Sequence, residues 1–292
     1  MKKKSPWKAI GLVVGSLFLF FLLLFAATLY LGKGYSFGPD KVVLINVEGI
    51  LVDSKEVVEQ LEKFKENVTV KAYVIRINSP GGGVAVAQEI YKEIQKVREV
   101  HRKPVVASMA TIAASGGYYI ASAADRIIAN PGSVTGSIGV IMQIPNVSGL
   151  LQKVGIKSVV IKSGEHKDLA SSTRELTDEE KRILQQVLDD VHDQFIEAVA
   201  KGRKMDKGKV QALADGRIFT GRQALNLGLV DELGDLQDAI EKAAKIGGIV
   251  GKPKVIQERK RRLSLLDFLT GVLGTHLPNQ ASPYFSLDYL LK

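Results

Sequence analysis

The 292-residue sequence contains no cysteine. That excludes disulfides, thiolate zinc sites and a cysteine nucleophile. Only four histidines occur, at positions 101, 166, 192 and 276, so a metal centre built from several histidines is not expected. An excess of one charge is also missing from most of the chain. The formal net charge is +9, but Lys2, Lys3, Lys4, Lys8 and the stretch 252–262 carry that excess; the remainder holds 30 basic and 30 acidic residues. A broad nucleic-acid-binding face is therefore not indicated. With 46% hydrophobic and 24% charged residues the composition is that of a globular chain, not a disordered one.

A long apolar run is present. Residues 10–31 are 22 uncharged, mostly apolar positions. As a helix they reach about 33 Å, enough to cross a bilayer core. The run exceeds the roughly 7–15 residues of a signal-peptide core, and no clear small-x-small cleavage site follows it. The lysines ahead of it favour an N-terminus inside. The expectation is a single-pass signal anchor in the cell membrane. Residues 1–9 would form a basic cytoplasmic N-terminus, 10–31 the transmembrane helix and 32–40 a linker, with the main domain outside the cytoplasm. A cleaved signal peptide is the alternative, and it puts the domain on the same side. The missing cysteines neither require nor oppose an oxidising compartment.

From residue 41 the pattern alternates between strands and helices. Apolar runs at 41–47, 70–77, 104–109, 126–129 and 156–161 read as strands, and helical spacing marks 54–67, 84–100, 113–124 and 177–201. Shorter helices follow at 207–214, 221–227 and 235–245. Ser54 is a candidate N-cap, and Thr177 with Glu180 makes a capping-box pattern. Such alternation implies a mostly parallel sheet covered by helices, in one domain over 41–250, with a less regular tail over 251–292. Residues 78–83 should break the second strand sharply, and 132–139 should be a loop.

Two turns carry candidate chemistry. Asn78-Ser-Pro-Gly-Gly-Gly83 follows a strand, and its glycines can adopt positive φ and turn free amides toward an anion. It lacks the Gly-Lys-Ser/Thr ending of a Walker loop and the dinucleotide glycine pattern. Ala113-Ala-Ser-Gly-Gly-Tyr118 can expose Ser115 at a strand-to-helix turn, with the Gly116 amide beside it. The Gly-x-Ser-x-Gly elbow is absent, which argues against an α/β-hydrolase. A serine nucleophile needs a base. His166 beside Asp168 suggests a triad, whereas Lys162 and Lys167 offer a lysine base. A free lysine, with a pKa of about 10.4, is neutral in fewer than about one molecule in a thousand at pH 7, so a lysine base must be desolvated. The residues alone leave His166, Lys167 and Lys162 open.

These motifs, in this order, resemble the signal peptide peptidase A family of serine–lysine peptidases, in its short, single-domain form. The matching stretches are Asn78-Ser-Pro-Gly-Gly-Gly-Val84, Ser108-Met-Ala-Thr-Ile-Ala-Ala-Ser-Gly-Gly-Tyr-Tyr119 and Gly132-Ser-Val-Thr-Gly-Ser-Ile-Gly-Val140. Lys162-Ser-Gly-Glu-His-Lys-Asp168 and Asp215-Gly-Arg-Ile-Phe-Thr-Gly-Arg-Gln-Ala224 complete the set. The resemblance implies an α/β fold of the Clp protease/crotonase type, a repeated β-β-α superhelix behind one transmembrane helix. It implies Ser115 as nucleophile, Lys167 as general base, Ser137 as the residue positioning that lysine, and the amides of Gly82 and Gly116 as the oxyanion hole. It implies hydrolysis of remnant signal peptides and other apolar peptides at the membrane, with no metal or organic cofactor. It further implies a homo-oligomeric ring whose sites take nucleophile and base from neighbouring subunits, and no nucleic-acid partner.

Other readings are a related peptidase acting on other membrane proteins, an acyl-CoA enzyme of the crotonase type and a non-catalytic membrane scaffold of the same fold. The acyl-CoA reading sits poorly with an anchor. In the tail, Arg259-Lys-Arg-Arg262 precedes an apolar stretch over 263–273, read as a charge run with a packing helix or as a membrane-surface segment. Residues 281–292, with Tyr284, Phe285 and Tyr289, are expected to be disordered, to dock on a neighbour or to reach an active site as a self-substrate.

Overall fold

A computed structural model describes residues 14–25, 39–258 and 288–290 of the chain. Residues 14–25 are helical (α1), with Phe18, Phe21 and Phe25 exposed. Among the described residues no helix is long and apolar enough to cross a membrane. Both ends of the expected 10–31 span, most of the linker, and the tail's basic run and packing helix lie outside the described residues.

The domain begins with β1 (Lys41–Leu51), α2 (Lys55–Phe64), β2 (Val70–Gly83), α3 (Val84–Glu99), β3 (Val105–Ala114) and α4 (Gly116–Ser122). Next come β4 (Arg126–Ala129), β5 (Val134–Gly136), α5 (Ser148–Lys153), α6 (Asp178–Arg203) and α7 (Lys207–Leu213). It ends with β6 (Ile218–Thr220), α8 (Gly221–Asn226), β7 (Glu232–Leu233), α9 (Leu236–Ile246), β8 (Lys254–Gln257) and β9 (Asp288–Leu290).

The sheet runs β6-β5-β3-β2-β1-β8 and is dominated by parallel pairs. The long edge of β3 is shared: residues 106–109 pair with β4, and 112–114 pair with β5. Its strands are apolar at consecutive positions because both faces are covered. Val43, Ile45, Tyr73, Ile75 and Ala107 point to the larger core. The alternate positions Val42, Leu44, Ala72, Val74 and Val106 meet Ala239, Ile240 and Ala243 of α9 on the other face.

Local signals explain most boundaries. Thr177 and Glu180 form the expected reciprocal capping box at the start of α6, and Thr220 with Gln223 does the same for α8. Ser54 is not a side-chain cap; its hydroxyl bonds Glu89 instead. Three readings are corrected. Residues 78–83 do not break β2, because Ile50 and Leu51 of β1 continue the ladder to Gly81 and Gly82 after a register shift. The segment 132–139 contains β5, which pairs parallel with β3 and antiparallel with β6. Residues 156–161 form no strand among the described residues; Val159 and Ile161 are 83% and 96% exposed.

Candidate active site

Ser115 stands between the end of β3 and the start of α4, at φ 53° and ψ −118°. This is a sparsely populated conformation for a residue with a Cβ, so its surroundings must impose it. The restraints are visible. The Ser115 N–H donates to Gly136 O at 2.8 Å, and its carbonyl accepts from the Tyr119 N–H at 2.8 Å. Behind it, the Tyr118 hydroxyl donates to Leu229 O at 2.9 Å, tying α4 to the segment before β7. Gly117 packs so closely that an added Cβ would lie 2.8 Å from Ser79 O. Ser115 itself is buried.

Gly116 is the first residue of α4. An amide in the first turn of a helix has no intrahelical acceptor and stays available to an anion. The glycine turn of β2 lies alongside, because Ser79 is in register with Ala113. Of its three glycines, Gly82 has φ 152°, and a Cβ there would fall 2.4 Å from Leu51 O. Gly81 also has positive φ, at 105°. The sequence alone could not separate these positions; the close approach of β1 singles out Gly82 as one where only glycine fits.

Ser137 follows Gly136, the acceptor of the Ser115 amide. It too has positive φ, 51°, and its N–H donates to Arg217 O at 2.8 Å. Thr135 fixes the preceding turn through its hydroxyl, 2.7 Å from Ala113 O. Ser115, Gly116 and Ser137 are thus held on one rigid backbone unit, with the 81–83 turn next to it. A cavity of about 530 Å³ opens beside Ser137, lined by Val140, Ile141, Leu188, Asp189 and His192 among others.

Lys167 is not brought to that unit. It sits on an exposed turn, its N–H bonded to Gly164 O at 3.1 Å, and its ammonium makes no hydrogen bond to Ser115 or Ser137. His166 is equally exposed. No hydrogen bond joins the His166 ring to Asp168 among the described residues, and the Asp168 carboxylate is engaged by other partners. It accepts from Lys162 Nζ at 2.6 Å and from Arg174 Nε at 2.9 Å. Arg174 also bonds Glu180, the capping residue of α6. Hydrogen bonds from Arg174 hold both carboxyls below the usual carboxylate range, with Lys162 adding to the effect at Asp168 and the Thr177 N–H at Glu180; for Glu180 the value falls to about 2. Sequence reasoning missed this cluster because its members lie six residues apart in a segment with no helical or strand period.

Strand β9 adds a further feature. Residues 288–290 pair antiparallel with the glycine turn, placing Leu290, Tyr289 and Asp288 opposite Gly81, Gly82 and Gly83. The tail segment therefore docks next to the turn that carries Ser115. Among the described residues there is no group of three or more histidines, aspartates or glutamates arranged to hold a metal.

Comparison with known proteins places this geometry in context. Residues 98–249 match the profile of Peptidase family S49. A Synechocystis protein named "Putative protease slr0021" is 47% identical over 210 residues, covering 72% of this chain and 75% of that protein. An Enterococcus faecium protein named "Putative signal peptide peptidase SppA" is 39% identical over 218 residues, 70% of this chain and 63% of its own length. "Protease 4" of Haemophilus influenzae is 35% identical over 217 residues, 71% of this chain but only 35% of the longer protein.

Proposed function

Because the chain belongs to Peptidase family S49, we propose that it is a membrane-anchored serine endopeptidase acting on remnant signal peptides and similar apolar peptides. The observation that carries the peptide-binding part is β9. A segment of extended chain pairs with residues 81–83 beside Ser115, which is how a substrate strand adds to a sheet edge through main-chain bonds while its side chains fall into pockets. We read residues 10–31 as the anchor and the divided edge of β3 as the beginning of a Clp protease/crotonase-type spiral.

In this reading Ser115 Oγ attacks the peptide carbonyl, and a neutral Lys167 takes its proton. The amides of Gly82 and Gly116 hold the resulting oxyanion; loss of one such donor costs about 10²–10³ in kcat in a measured case. The tetrahedral intermediate collapses, and Lys167 returns the proton to the leaving amine. Water then attacks the acyl-enzyme, giving a proton to Lys167, and collapse frees the acid product as Lys167 returns that proton to Ser115 Oγ.

Lys167 must be desolvated to act as a base, and within one chain it is exposed. The reading therefore places it in the site of a second copy. Two features support that. The apolar residues Val159 and Ile161, shortly before Lys167, are unpaired and exposed. The cavity beside Ser137 is open to an incoming side chain. The active unit is then a homo-oligomeric ring, with Ser137 receiving the neighbour's lysine.

The test is hydrolysis of a signal-peptide sequence by the full chain in neutral detergent. Activity is expected to vanish in Ser115→Ala and in Lys167→Ala and to return in part when the two variants are co-assembled. Cleavage surviving in Ser115→Ala would overturn the nucleophile. Silent mixed assemblies would overturn the shared site. A non-catalytic scaffold predicts no hydrolysis by any assembled form.

A further inference from the structure

A second cleft, about 810 Å³ in volume, lies at the end of the sheet opposite Ser115. Its wall joins the end of α3, the entries to β3 and β4, the end of α6 and the last turns of α9. Eight basic side chains line it against two acidic ones, Asp125 and Asp231. Outside the two charged termini the chain as a whole is balanced, so this is a segregation of charge and not an average.

Part of that charge is structural. Arg98 bonds Ala123 O and pairs with Asp125 at 2.7 Å. Arg203 pairs with Asp231 at 2.9 Å and bonds Gly228 O at 3.2 Å. Lys103 caps the carbonyls of Phe64 and Asn67 at 2.9 and 2.8 Å. These groups complement helix C-termini and loop carbonyls. Arg102, Lys204 and Lys245 are different: all three are exposed and lack an acidic partner among the described residues. Arg102 and Lys204 also occupy left-handed backbone positions, both at φ 52°. A buried Arg98 Nε–H in the same wall lacks an acceptor among the described residues.

Topology says which way this cleft looks. The β1, β2, β3 and β4 strands are parallel, so their first residues share one end. Lys41, where the domain leaves the apolar N-terminal segment, is at that end. With neighbouring strands about 4.8 Å apart, the entry of β4 lies only about 15 Å across the sheet from β1. Lys254 is in register with Lys41, so two lysines stand side by side on the rim near the tether, while Lys71 is paired with Asp40.

We propose that this cleft binds the phosphate groups of anionic phospholipids and seats the tethered end of the domain on the bilayer, leaving Ser115 on the far end of β3. Each basic residue near an anionic surface adds to its attraction for that surface, so three spare cations matter once a tether has raised the local concentration. This inference rests on the anchored reading of residues 10–31, and the experiment separates the two.

The full chain is incorporated into vesicles of phosphatidylcholine alone or with phosphatidylglycerol. Flotation with the neutral vesicles reports the anchor. Amine acetylation of Lys204 and Lys245, read by mass spectrometry, reports the cleft. Several-fold loss of labelling is expected only in the anionic vesicles, reversed near 1 M salt, where screening shortens to about 3 Å. Arg102→Glu should restore labelling at both lysines while signal-peptide hydrolysis stays at the parent rate, which also shows the variant is folded. Equal labelling in both vesicle types, with flotation intact, would overturn the cleft and leave the anchor standing. Protection by inorganic phosphate added to neutral vesicles would overturn the lipid assignment in favour of a free-anion site. Protection unchanged in Arg102→Glu would overturn this cleft as the contact. Loss of flotation would overturn the anchor and, with it, the seating on the bilayer.

Discussion

The amide of Ser115 donates to the carbonyl of Gly136 at 2.8 Å, so the backbone of the proposed nucleophile is fixed by the residue that precedes Ser137. Both serines have positive φ, 53° and 51°. Left-handed and other sparsely populated conformations cost about 1–3 kcal/mol each at a residue with a Cβ. The packing around the site bears that strain.

The strain makes Ser137 a place where stability and activity should move apart. Ser137→Gly relieves the positive φ and is expected to raise stability by up to about 1 kcal/mol. Its peptidase activity should fall as far as that of Ser137→Ala, because both lose the hydroxyl. Gly136→Ala should behave in the opposite sense: a Cβ there meets the Phe219 ring at 2.6 Å at φ 82°, so stability falls first. Thermal unfolding and hydrolysis of the same preparations check both. Full activity in Ser137→Gly would remove Ser137 from the mechanism.

The turn carrying Lys167 is held by the Lys162–Asp168–Arg174–Glu180 cluster. Arg174→Ala should loosen residues 162–175 and misplace Lys167, the proposed base, and misplacement of about 1 Å can cost about 10²-fold in rate. Arg174→Lys should recover only part, since one ammonium cannot grip two carboxylates as the guanidinium does. Both carboxyls are depressed in the folded state, so the order they confer is complete above about pH 4.5 and fades as pH falls through their folded values, toward about 2 for Glu180. Hydrogen exchange of 162–175 between pH 7 and pH 3 should show that loosening in the parent chain. The step should be smaller in Arg174→Ala, where only Lys162 still bonds Asp168 and only Thr177 still bonds Glu180.

The architecture was largely legible from periodicity. Alternating apolar runs gave the parallel sheet, and the Thr177–Glu180 pattern set the start of the longest described helix within the domain. What failed was local. The glycines of 81–83 look like a break, yet β1 approaches so closely that a side chain would not fit, and the ladder continues through them. The segment 156–161 has strand propensity but pairs with no strand among the described residues, and propensity alone does not make a strand. At the site, the strand-to-helix turn marks Ser115 and Gly116 as candidates, while Ser137 is singled out only by the family resemblance. The ion cluster around Asp168 is marked by neither, because it depends on a fold that brings non-periodic positions together.

The docking of β9 on residues 81–83 makes the tail a competitor for peptide. A tethered segment acts at an effective concentration of the order of mM. Deleting residues 286–292 should therefore lower the KM for a peptide substrate without changing kcat, and adding the tail back as a free peptide should inhibit competitively. A KM that stays constant on deletion would show that the tail and the substrate do not share this edge.

Asp231 couples the stability of the α4 region to pH. Its carboxylate accepts from the Ile127 N–H at 2.7 Å and from Arg203 at 2.9 Å, with Arg126 at 3.5 Å. Burial pushes its pKa up, but these donors together outweigh it and the net shift is downward. A carboxyl depressed on folding adds stability that is present above its unfolded value, about 3.9, and is lost as pH falls through the folded one. Asp231→Asn should remove that dependence. It also leaves Arg203, whose side chain is only 6% exposed, without its counter-charge, a loss of about 3–5 kcal/mol for a buried pair broken on one side. Because the Tyr118 hydroxyl bonds Leu229 two residues earlier, α4 should loosen as well, and hydrolysis should fall although Asp231 is far from the peptide. Replacing both partners, Arg203→Met with Asp231→Leu, should recover most of the stability, since neither charge is then left alone. Urea unfolding at pH 7 and pH 3.5 separates the cases: the parent loses stability on acidification, and both variants lose measurably less. An equal loss in Asp231→Asn would show that other carboxyls, not Asp231, set the acid limit.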